Sequence, residues 1–379
     1  MNKMDISTIC VHGCKKKFDI TGAVATPIFA SATFAHPGVG QSTGFDYSRS
    51  LNPTNVHLED TVAALEGGGN AIAFSSGMAA VSALMELFSP GDHIIASDDL
   101  YGGTFRLFSH ISQKNGVKFS YAKTLKDIER ELTPSTKAIF LETPSNPMMN
   151  VTDIAAAAAI AQKHKLLFIV DNTFLTPYFQ KPFSLGADII LHSGTKYLGG
   201  HNDTLSGFLV VKSDEILEKL RFIAKTTGAC LSPFDGFLII RGIKTLAIRM
   251  EREQETAQKI VSWLLEQSAV KKVYYPGLKE HPDYEISRRQ TSGFGGMLSF
   301  SVRDEQTAKK ILENVKVIKY AESLGGVESL ITYPMLQTHA DLPESDRNAR
   351  GIDECLLRLS VGLEAADDLI ADLKQALEN

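Results

Sequence analysis

Two apolar runs that end in polar residues decide the fold: LLFIVDN at residues 166–172 and DIILHSGTK at residues 188–196. A continuous apolar run of this length is typical of a strand that is buried on both faces of a sheet. Further strands are predicted at 71–74, 93–96, 117–122, 138–142 and 208–211. Helices are predicted between them, notably over 78–88 and 152–163. This alternation predicts a mainly parallel sheet with helices on both faces, whose ligands lie beyond the carboxyl ends of the strands.

The rest of the chain divides into an arm and a smaller lobe. Residues 1–57 lack sustained periodicity and contain several turn signals, which indicates an extended arm that lies on a second subunit. Residues 58–235 form the predicted large domain, and residues 236–379 form a smaller α/β domain. That smaller domain is predicted to begin with one long helix over 237–267 and to contain strands at 297–301, 317–320 and 356–361.

Composition narrows the class of protein. Of the 379 residues, 44% are hydrophobic and 22% are charged, and the net charge is -5, which is the balance of a globular protein. Because no block of basic residues is present, nucleic acid is not expected as a partner. No apolar run is long enough to cross a bilayer, and residues 1–9 have no signal-peptide core, so we expect a cytoplasmic protein without a membrane partner.

The four cysteines agree with a reducing compartment. Cys10, His12 and Cys14 lie close together in the sequence, but a structural zinc site needs four ligands and no second pair follows. Ordinary thiols are therefore favoured, and no metal is expected. Cys230 and Cys355 stand alone and are expected to be buried.

Lys196 and Asp171 each follow a predicted strand directly. The hydroxyls of the SGTK segment could bind a phosphate beside the Lys196 amine, and an amine of lowered pKa can form a Schiff base with an aldehyde. Taken alone, the segment is more typical of a turn with a solvated lysine. Asp171 needs a cation such as a protonated pyridine nitrogen, and a helix cap or loop aspartate is the ordinary alternative.

Two further segments complete the constellation. Residues 75–78, Ser-Ser-Gly-Met, lie at a strand-to-helix turn, where backbone N–H groups can bind an anion. Neither the P-loop pattern nor the dinucleotide fingerprint fits this turn. Tyr101 precedes two glycines and could stack on a flat cofactor or serve only the structure. A phosphate site, a partner for an electron sink, a stacking ring and a Schiff-base lysine together indicate one cofactor.

Motifs along the whole chain carry a family resemblance. They are FDYSR at 45–49, SGMA at 76–79, DLYGGT at 99–104, ETPSNP at 142–147, VDNTF at 170–174, the segment 192–201, AESLGG at 321–326 and RLSVG at 358–362. With these motifs the chain resembles the cysteine/methionine-metabolism, or transsulfuration, family of pyridoxal-phosphate enzymes. The resemblance implies the type I, aspartate-aminotransferase-like fold and a homodimer that completes each site, with a tetramer as the expected assembly.

The resemblance also implies site residues. Lys196 is implied as the Schiff-base lysine, and Lys196 and Tyr101 as the catalytic pair. The implied cofactor-binding residues are Gly77, Met78, Tyr101, Asp171, Thr173, Ser193, Thr195 and Lys196, with Tyr47 and Arg49 from the neighbouring subunit. The implied substrate-binding residues are Asp46, Asn146, Glu322, Ser323 and Arg358.

The substrate implied is a small amino acid that contains sulfur, and several reactions stay open. The family includes cystathionine β-lyases, γ-lyases, γ-synthases and acylhomoserine sulfhydrylases. Asp46 and Glu322 resemble residues of members that accept cystathionine, and residues 329–334 resemble the β-cleaving lyases. The preferred hypothesis is therefore a cystathionine β-lyase, which gives homocysteine, pyruvate and ammonia. An aminotransferase and a catalytically silent binding protein are the rivals from other classes.

Overall fold

A large sheet forms the centre of the computed structural model, which describes residues 4–13, 21–340 and 342–378. Its strands are β1 Asn70–Phe74, β2 His93–Ser97, β3 Lys118–Ala122, β4 Thr136–Glu142, β5 Leu167–Asp171, β6 Ile189–Ser193 and β7 Gly207–Val211. They lie in the order β1-β7-β6-β5-β4-β2-β3. Only β7 is reversed, because it pairs antiparallel with both β1 and β6. The mainly parallel sheet is confirmed.

Helices cover both faces of this sheet. The α-helices of the described residues are α1 Ile6–His12, α2 Pro53–Leu65, α3 Gly77–Met85, α4 Gly102–Leu107, α5 Leu125–Arg130, α6 Ile154–His164, α7 Thr176–Phe179, α8 Asp214–Thr227, α9 Pro233–Ile243, α10 Leu246–Leu265, α11 Tyr284–Gln290, α12 Glu305–Asn314, α13 Glu344–Ala349 and α14 Ala366–Glu378. A π-helix spans Phe108–Ser112 and a 3₁₀-helix spans Pro182–Leu185. Ile139 and Phe140 are neighbours on β4, yet they belong to two different buried clusters. Apolar side chains on both faces explain the continuous hydrophobic runs in the sequence.

The second lobe contains a smaller sheet. Its strands are β8 Val270–Tyr274, β9 Met297–Val302, β10 Lys319–Tyr320, β11 Leu330–Thr332 and β12 Leu356–Ser360. They lie in the order β10-β11-β12-β9-β8, and every pair except β10 with β11 is antiparallel. Helices α10, α12 and α14 contribute to the apolar cluster against this sheet. The predicted smaller α/β lobe is therefore present.

The single long helix predicted over 237–267 is wrong. Two helices, α9 and α10, occupy this region and are separated at Lys244 and Thr245. The Thr245 hydroxyl donates to the Gly242 carbonyl at 3.1 Å and accepts from Arg249 Nε at 3.1 Å. Such side-chain bonds to nearby backbone compete with helix continuation. Pro233 begins α9, because its missing N–H costs nothing in the first turn of a helix.

The N-terminal arm is less extended than predicted. Residues 6–12 form α1, which is capped by the Asp5 side chain and packs against α2 and α10 with Cys10 buried. Helix α2 begins at Pro53 after an Asn52 cap, so the predicted boundary at 57 falls inside a helix. The boundary at 235 likewise falls inside α9. The domain division itself stays a prediction.

The cysteines differ in exposure. Cys10 and Cys355 are buried, whereas Cys230 is exposed, so the expectation of burial is wrong for Cys230. Cys230 lies in the loop before α9 and forms a single bridge to Phe74 at the edge strand β1, where water reaches it. Cys14 lies outside the described residues. Within the described part of the chain, no helix has the length and apolar character needed to cross a bilayer.

Leu264 and Leu265 offer a matched test of the small-lobe core. Leu264 is 1% exposed in the apolar cluster, while its neighbour on α10, Leu265, is 57% exposed. We expect Leu264→Ala to lower the free energy of unfolding by about 2–5 kcal/mol because it leaves a cavity. Leu265→Ala is expected to change it by less than about 0.5 kcal/mol. Chemical denaturation of both variants measures the difference, and equal losses would contradict this packing.

Candidate active site

A cavity of about 430 Å³ lies where the carboxyl ends of the large-sheet strands meet the second lobe. The residues that line it include Ser76, Gly77, Met78, Tyr101, Glu142, Asn146, Asp171, Thr173, Ser193, Thr195, Lys196, Glu322, Ser323 and Arg358. The cavity therefore brings together every predicted site residue except the three from the arm. This position agrees with the rule that ligands of parallel sheets bind beyond the carboxyl ends of strands.

Lys196 extends from the turn after β6 toward the second lobe. Its Nζ donates to Ser323 Oγ at 2.9 Å. Removal of the amine from water lowers the pKa of Lys196 from 10.5 to about 8, and the nearby Arg358 charge acts in the same direction, whereas Glu322 opposes it. With this pKa about a tenth of the amine is neutral at pH 7, against well under a thousandth at a pKa of 10.5, and Schiff-base chemistry and proton transfer require the neutral amine.

Asp171 ends β5 and presents a carboxyl group to the cavity. It accepts hydrogen bonds from the Thr173 N–H at 3.0 Å and from the Thr173 hydroxyl at 2.6 Å. Burial raises the pKa of Asp171, while the two bonds from Thr173 and the nearby His192 lower it. Within the described residues, Asp171 forms no ion pair with a lysine or an arginine. A cationic ring nitrogen would supply the missing partner.

The first turn of α3 forms a cradle beside Ser193. Ser76 caps the helix by accepting from the Ala79 N–H at 3.1 Å. A Cβ atom at Gly77 would lie only 3.0 Å from Ser193 Cβ and Oγ, so a side chain at residue 77 would fill this space. The free N–H groups of a helix N-terminus, together with a hydroxyl, fit a phosphate. The Thr195 hydroxyl bonds to the backbone of Ser206, which holds the turn closed.

Arg358, on β12, is fully buried, and hydrogen bonds hold its two terminal nitrogens in place. Its Nη1 donates to Asn146 Oδ1 at 2.9 Å, and its Nη2 donates to the Ser323 carbonyl at 2.9 Å and to Thr332 Oγ1 at 3.1 Å. Burial lowers the pKa of Arg358 to about 10. Among the described residues its Nε has no partner, so the guanidinium keeps donor capacity for a carboxylate.

Tyr101 stands at the mouth of the cavity, immediately before α4. Its side chain is 41% exposed, and its N–H donates to Glu142 Oε2 at 2.9 Å. A Cβ atom at Gly103 would lie 2.5 Å from the Tyr101 ring. The glycine therefore lets the ring lie close to the backbone of α4. Glu142 was not among the predicted site residues, although a carboxylate at the end of an apolar strand is the same signal that marked Asp171.

The predicted arm residues lie away from this chain's cavity. Asp46 accepts from the Ser42 hydroxyl at 2.6 Å and lies 3.6 Å from His36 Nε2. Arg49 donates to the Lys225 carbonyl at 2.5 Å and lies over the Tyr47 ring at 5.4 Å. Their contribution to a neighbouring subunit stays a prediction.

Comparison with known proteins identifies the family. Residues 7–378 match the family model described as Cys/Met metabolism PLP-dependent enzyme, where PLP is pyridoxal 5'-phosphate. The chain belongs to this family. The chain is thus a PLP-dependent enzyme, and the cofactor suits the cradle, the buried carboxyl group and the lysine described above.

Individual relatives cover nearly the whole chain. The cystathionine beta-lyase of Lactococcus lactis subsp. cremoris (strain MG1363) is 49% identical over 375 residues, which are 98% of this chain and 99% of the relative. The cystathionine gamma-synthase of Haemophilus influenzae is 50% identical over 378 residues, 99% of this chain and 98% of the relative. A crystal structure of cystathionine gamma-lyase from Lactobacillus plantarum complexed with L-serine superimposes with a TM-score of 0.96 at 45% identity, covering 99% of both chains.

These similarities confirm the predicted fold class and cofactor. A PLP-dependent transsulfuration lyase or synthase is the coarse function that the relatives share. Their names describe three different reactions, so family membership alone does not distinguish β-cleavage from γ-cleavage or γ-replacement.

The lowered pKa of Lys196 gives a test on enzyme freed of its cofactor. An amine reacts with trinitrobenzenesulfonate in its neutral form, so labelling of Lys196 should rise with a midpoint near pH 8, well below that of exposed lysines. In Glu322→Gln the midpoint should move lower, because the Glu322 charge favours the ammonium form. Peptide mass spectrometry measures labelling at each pH. A Lys196 midpoint equal to that of surface lysines would contradict the burial of this amine.

Proposed function

We propose that the protein is a carbon–sulfur lyase of transsulfuration, and specifically a cystathionine β-lyase. The reaction consumes cystathionine and water and yields homocysteine, pyruvate and ammonia. Cystathionine γ-lyase and γ-synthase are the second candidates, because relatives with these names are similarly close to the chain. O-acylhomoserine sulfhydrylase is the next.

The observation that carries the proposal is the arrangement of two cations around Ser323. Lys196 Nζ bonds to the Ser323 hydroxyl and Arg358 Nη2 bonds to the Ser323 carbonyl, each at 2.9 Å. An amino acid whose carboxylate binds Arg358 would therefore place its amine and its Cα–H near Lys196. With a pKa of about 8, Lys196 suits removal of the Cα proton and its return elsewhere.

The cofactor supplies an aldehyde for the substrate amine and an electron sink for the bond that breaks. Asp171 would pair with the ring nitrogen and is held for this by Thr173. The phosphate would be held by Gly77, Met78, Ser193 and Thr195, and the Tyr101 ring would lie against the cofactor. Tyr47 and Arg49 would come from a second subunit, so we propose a homodimer as the smallest active unit and a tetramer as the assembly.

Glu322 supports cystathionine as the substrate. Its carboxylate lines the cavity on the same segment as Ser323, and Asp46 of a second subunit would add another negative charge. Cystathionine carries an amino group at each end, so the reacting one can lie at the cofactor aldehyde beside Lys196 while the distal ammonium group meets Glu322. β-Cleavage needs a single proton removal from Cα, which Lys196 can perform, whereas reactions at Cγ require further proton transfers by the same amine. The resemblance of residues 329–334 to β-cleaving lyases points the same way.

Product analysis tests the proposed reaction. With cystathionine, the enzyme is expected to release homocysteine, pyruvate and ammonia, and Lys196→Ala is expected to lose at least about a thousand-fold in rate. Chromatography of the thiol and keto-acid products distinguishes the candidates. Cysteine with 2-oxobutyrate would identify a γ-lyase. If neither pair forms and O-acylhomoserine with cysteine yields cystathionine, the protein is a γ-synthase.

Glu322→Gln tests recognition of the distal ammonium group. We expect kcat/KM for cystathionine to fall about five-fold relative to that for S-ethylcysteine, because the variant loses an exposed ion pair of about 1 kcal/mol. The ratio of the two substrates cancels any effect on Lys196. Glu328→Gln, six residues along and exposed, serves as the matched control and should leave the ratio unchanged. An unchanged ratio in Glu322→Gln would rule out this role.

A further inference from the structure

Glu142 and Asp171 form a pair of carboxyl groups beneath the cavity. Glu142 ends β4, Asp171 ends β5, and the two residues are register partners on adjacent parallel strands. Both line the cavity. Register partners on neighbouring strands lie about 5 Å apart and point to the same face. Two acidic side chains are therefore held side by side where the cofactor binds.

Hydrogen bonds hold both the backbone N–H and the carboxyl group of Glu142. Its N–H donates to Ser97 Oγ at 3.0 Å, and its Oε2 accepts the Tyr101 N–H at 2.9 Å. Glu142 is only 7% exposed. Tyr101 is the residue immediately before α4. The hydrogen bond from its N–H to Glu142 therefore positions the start of that helix at the mouth of the cavity. A change at residue 142 is therefore transmitted to the ring at residue 101.

The charges around Glu142 disfavour its ionisation. The titratable groups that face it are Asp171 on β5, Asp99 after β2 and Arg358 on β12. Within the described residues, no lysine or arginine forms an ion pair with Glu142. Burial, and then the Asp171 charge, raise the pKa of Glu142 well above its usual range, and Arg358 only partly opposes this. Two buried carboxyl groups this close cannot both ionise cheaply.

Asp171 is the member of the pair that is equipped to carry the charge. It accepts two hydrogen bonds from Thr173, and His192 favours its ionised form. Among the described residues, the carboxyl group of Glu142 accepts a hydrogen bond only from the Tyr101 N–H, and a neutral acid can still accept that bond through its carbonyl oxygen.

We propose that Glu142 is a positioning residue of the cofactor site, which acts as a neutral carboxylic acid to hold the Tyr101 backbone while leaving the negative charge to Asp171. One net negative charge then faces the one cation of the protonated cofactor ring. The inference concerns cofactor binding and holds whichever carbon–sulfur bond the enzyme breaks.

Two substitutions separate the two parts of this role. Glu142→Gln keeps the reach and an acceptor for the Tyr101 N–H but has no acidic proton. Glu142→Asp keeps the acid but is one methylene shorter, so it withdraws from Tyr101. Glu129→Gln, at an exposed glutamate of α5, controls for the loss of a carboxyl group elsewhere.

Infrared difference spectroscopy of the holoenzyme at neutral pH detects directly whether the Glu142 carboxyl group is protonated. Glu253 and Asp99 are also buried acids whose pKa values are raised by burial, so the spectrum of each variant is subtracted from that of the wild type. We expect Glu142→Gln, but not Glu129→Gln, to lose part of the carbonyl stretch of protonated carboxylic acids, at a frequency that shifts in D₂O. A Glu142→Gln spectrum that loses none of this stretch would overturn the proposal.

The affinity for PLP, measured without substrate, reports whether Tyr101 is held in position. Glu142→Gln should keep the visible circular dichroism band of bound PLP and a dissociation constant within about three-fold of wild type. Glu142→Asp should weaken the band and raise the dissociation constant about ten-fold, because the Tyr101 N–H loses its partner. Equal effects of the two variants, with matching losses of thermal stability, would show a purely structural role and refute the proposal.

Discussion

The hydrogen bond from Lys196 to Ser323 joins the two lobes at the centre of the cavity. Lys196 belongs to the turn after β6, whereas Ser323 lies between β10 and β11 of the second lobe. A second bond, from the Val327 N–H to the Gly200 carbonyl at 3.0 Å, ties the same two segments together. Because neither lobe contains both the lysine and its partner, the active cavity exists only when the lobes are packed together.

Close backbone packing makes this junction possible. A Cβ atom at Gly325, which has a positive φ of 73°, would lie 2.8 Å from the Tyr197 nitrogen. Gly242 of α9 similarly packs against the Gly199 carbonyl. A side chain at Gly325 would push the lysine turn away from the second lobe, and one at Gly242 would push it away from α9. Ser323 itself has a φ of 103°, a conformation that few residues other than glycine adopt, and the surrounding bonds hold it there.

Much of the large lobe could be predicted from the sequence, because continuous apolar runs leave few alternatives to buried parallel strands. The same logic located Asp171 and Lys196, since polar residues that follow such strands meet at one edge of the sheet. Arg358 and Ser323 required the family resemblance, because their lobe pairs antiparallel strands with weaker periodicity. The interruption between α9 and α10 could not be predicted, since it depends on the bonds of the Thr245 hydroxyl and on packing against the lysine turn.

Glu142 was missing from the predicted site residues for a different reason. Its position after a strand was visible in the sequence, but its bond to the Tyr101 backbone depends on how α4 meets the sheet. Long-range contacts of this kind have no local signature. The arm shows the opposite situation. Tyr47 and Arg49 lie in a recognisable motif, but the surface that they are predicted to contact belongs to another copy of the chain.

The pairing of β1 with β7 has a consequence for biosynthesis. Among the described strands β1 pairs only with β7, apart from the single bridge to Cys230, so residues 75–206 must leave the ribosome before β1 finds its neighbour. At ordinary rates of translation this delay is on the order of ten seconds, during which an apolar strand has an open edge. Chaperone protection of the nascent chain is therefore most valuable during this interval.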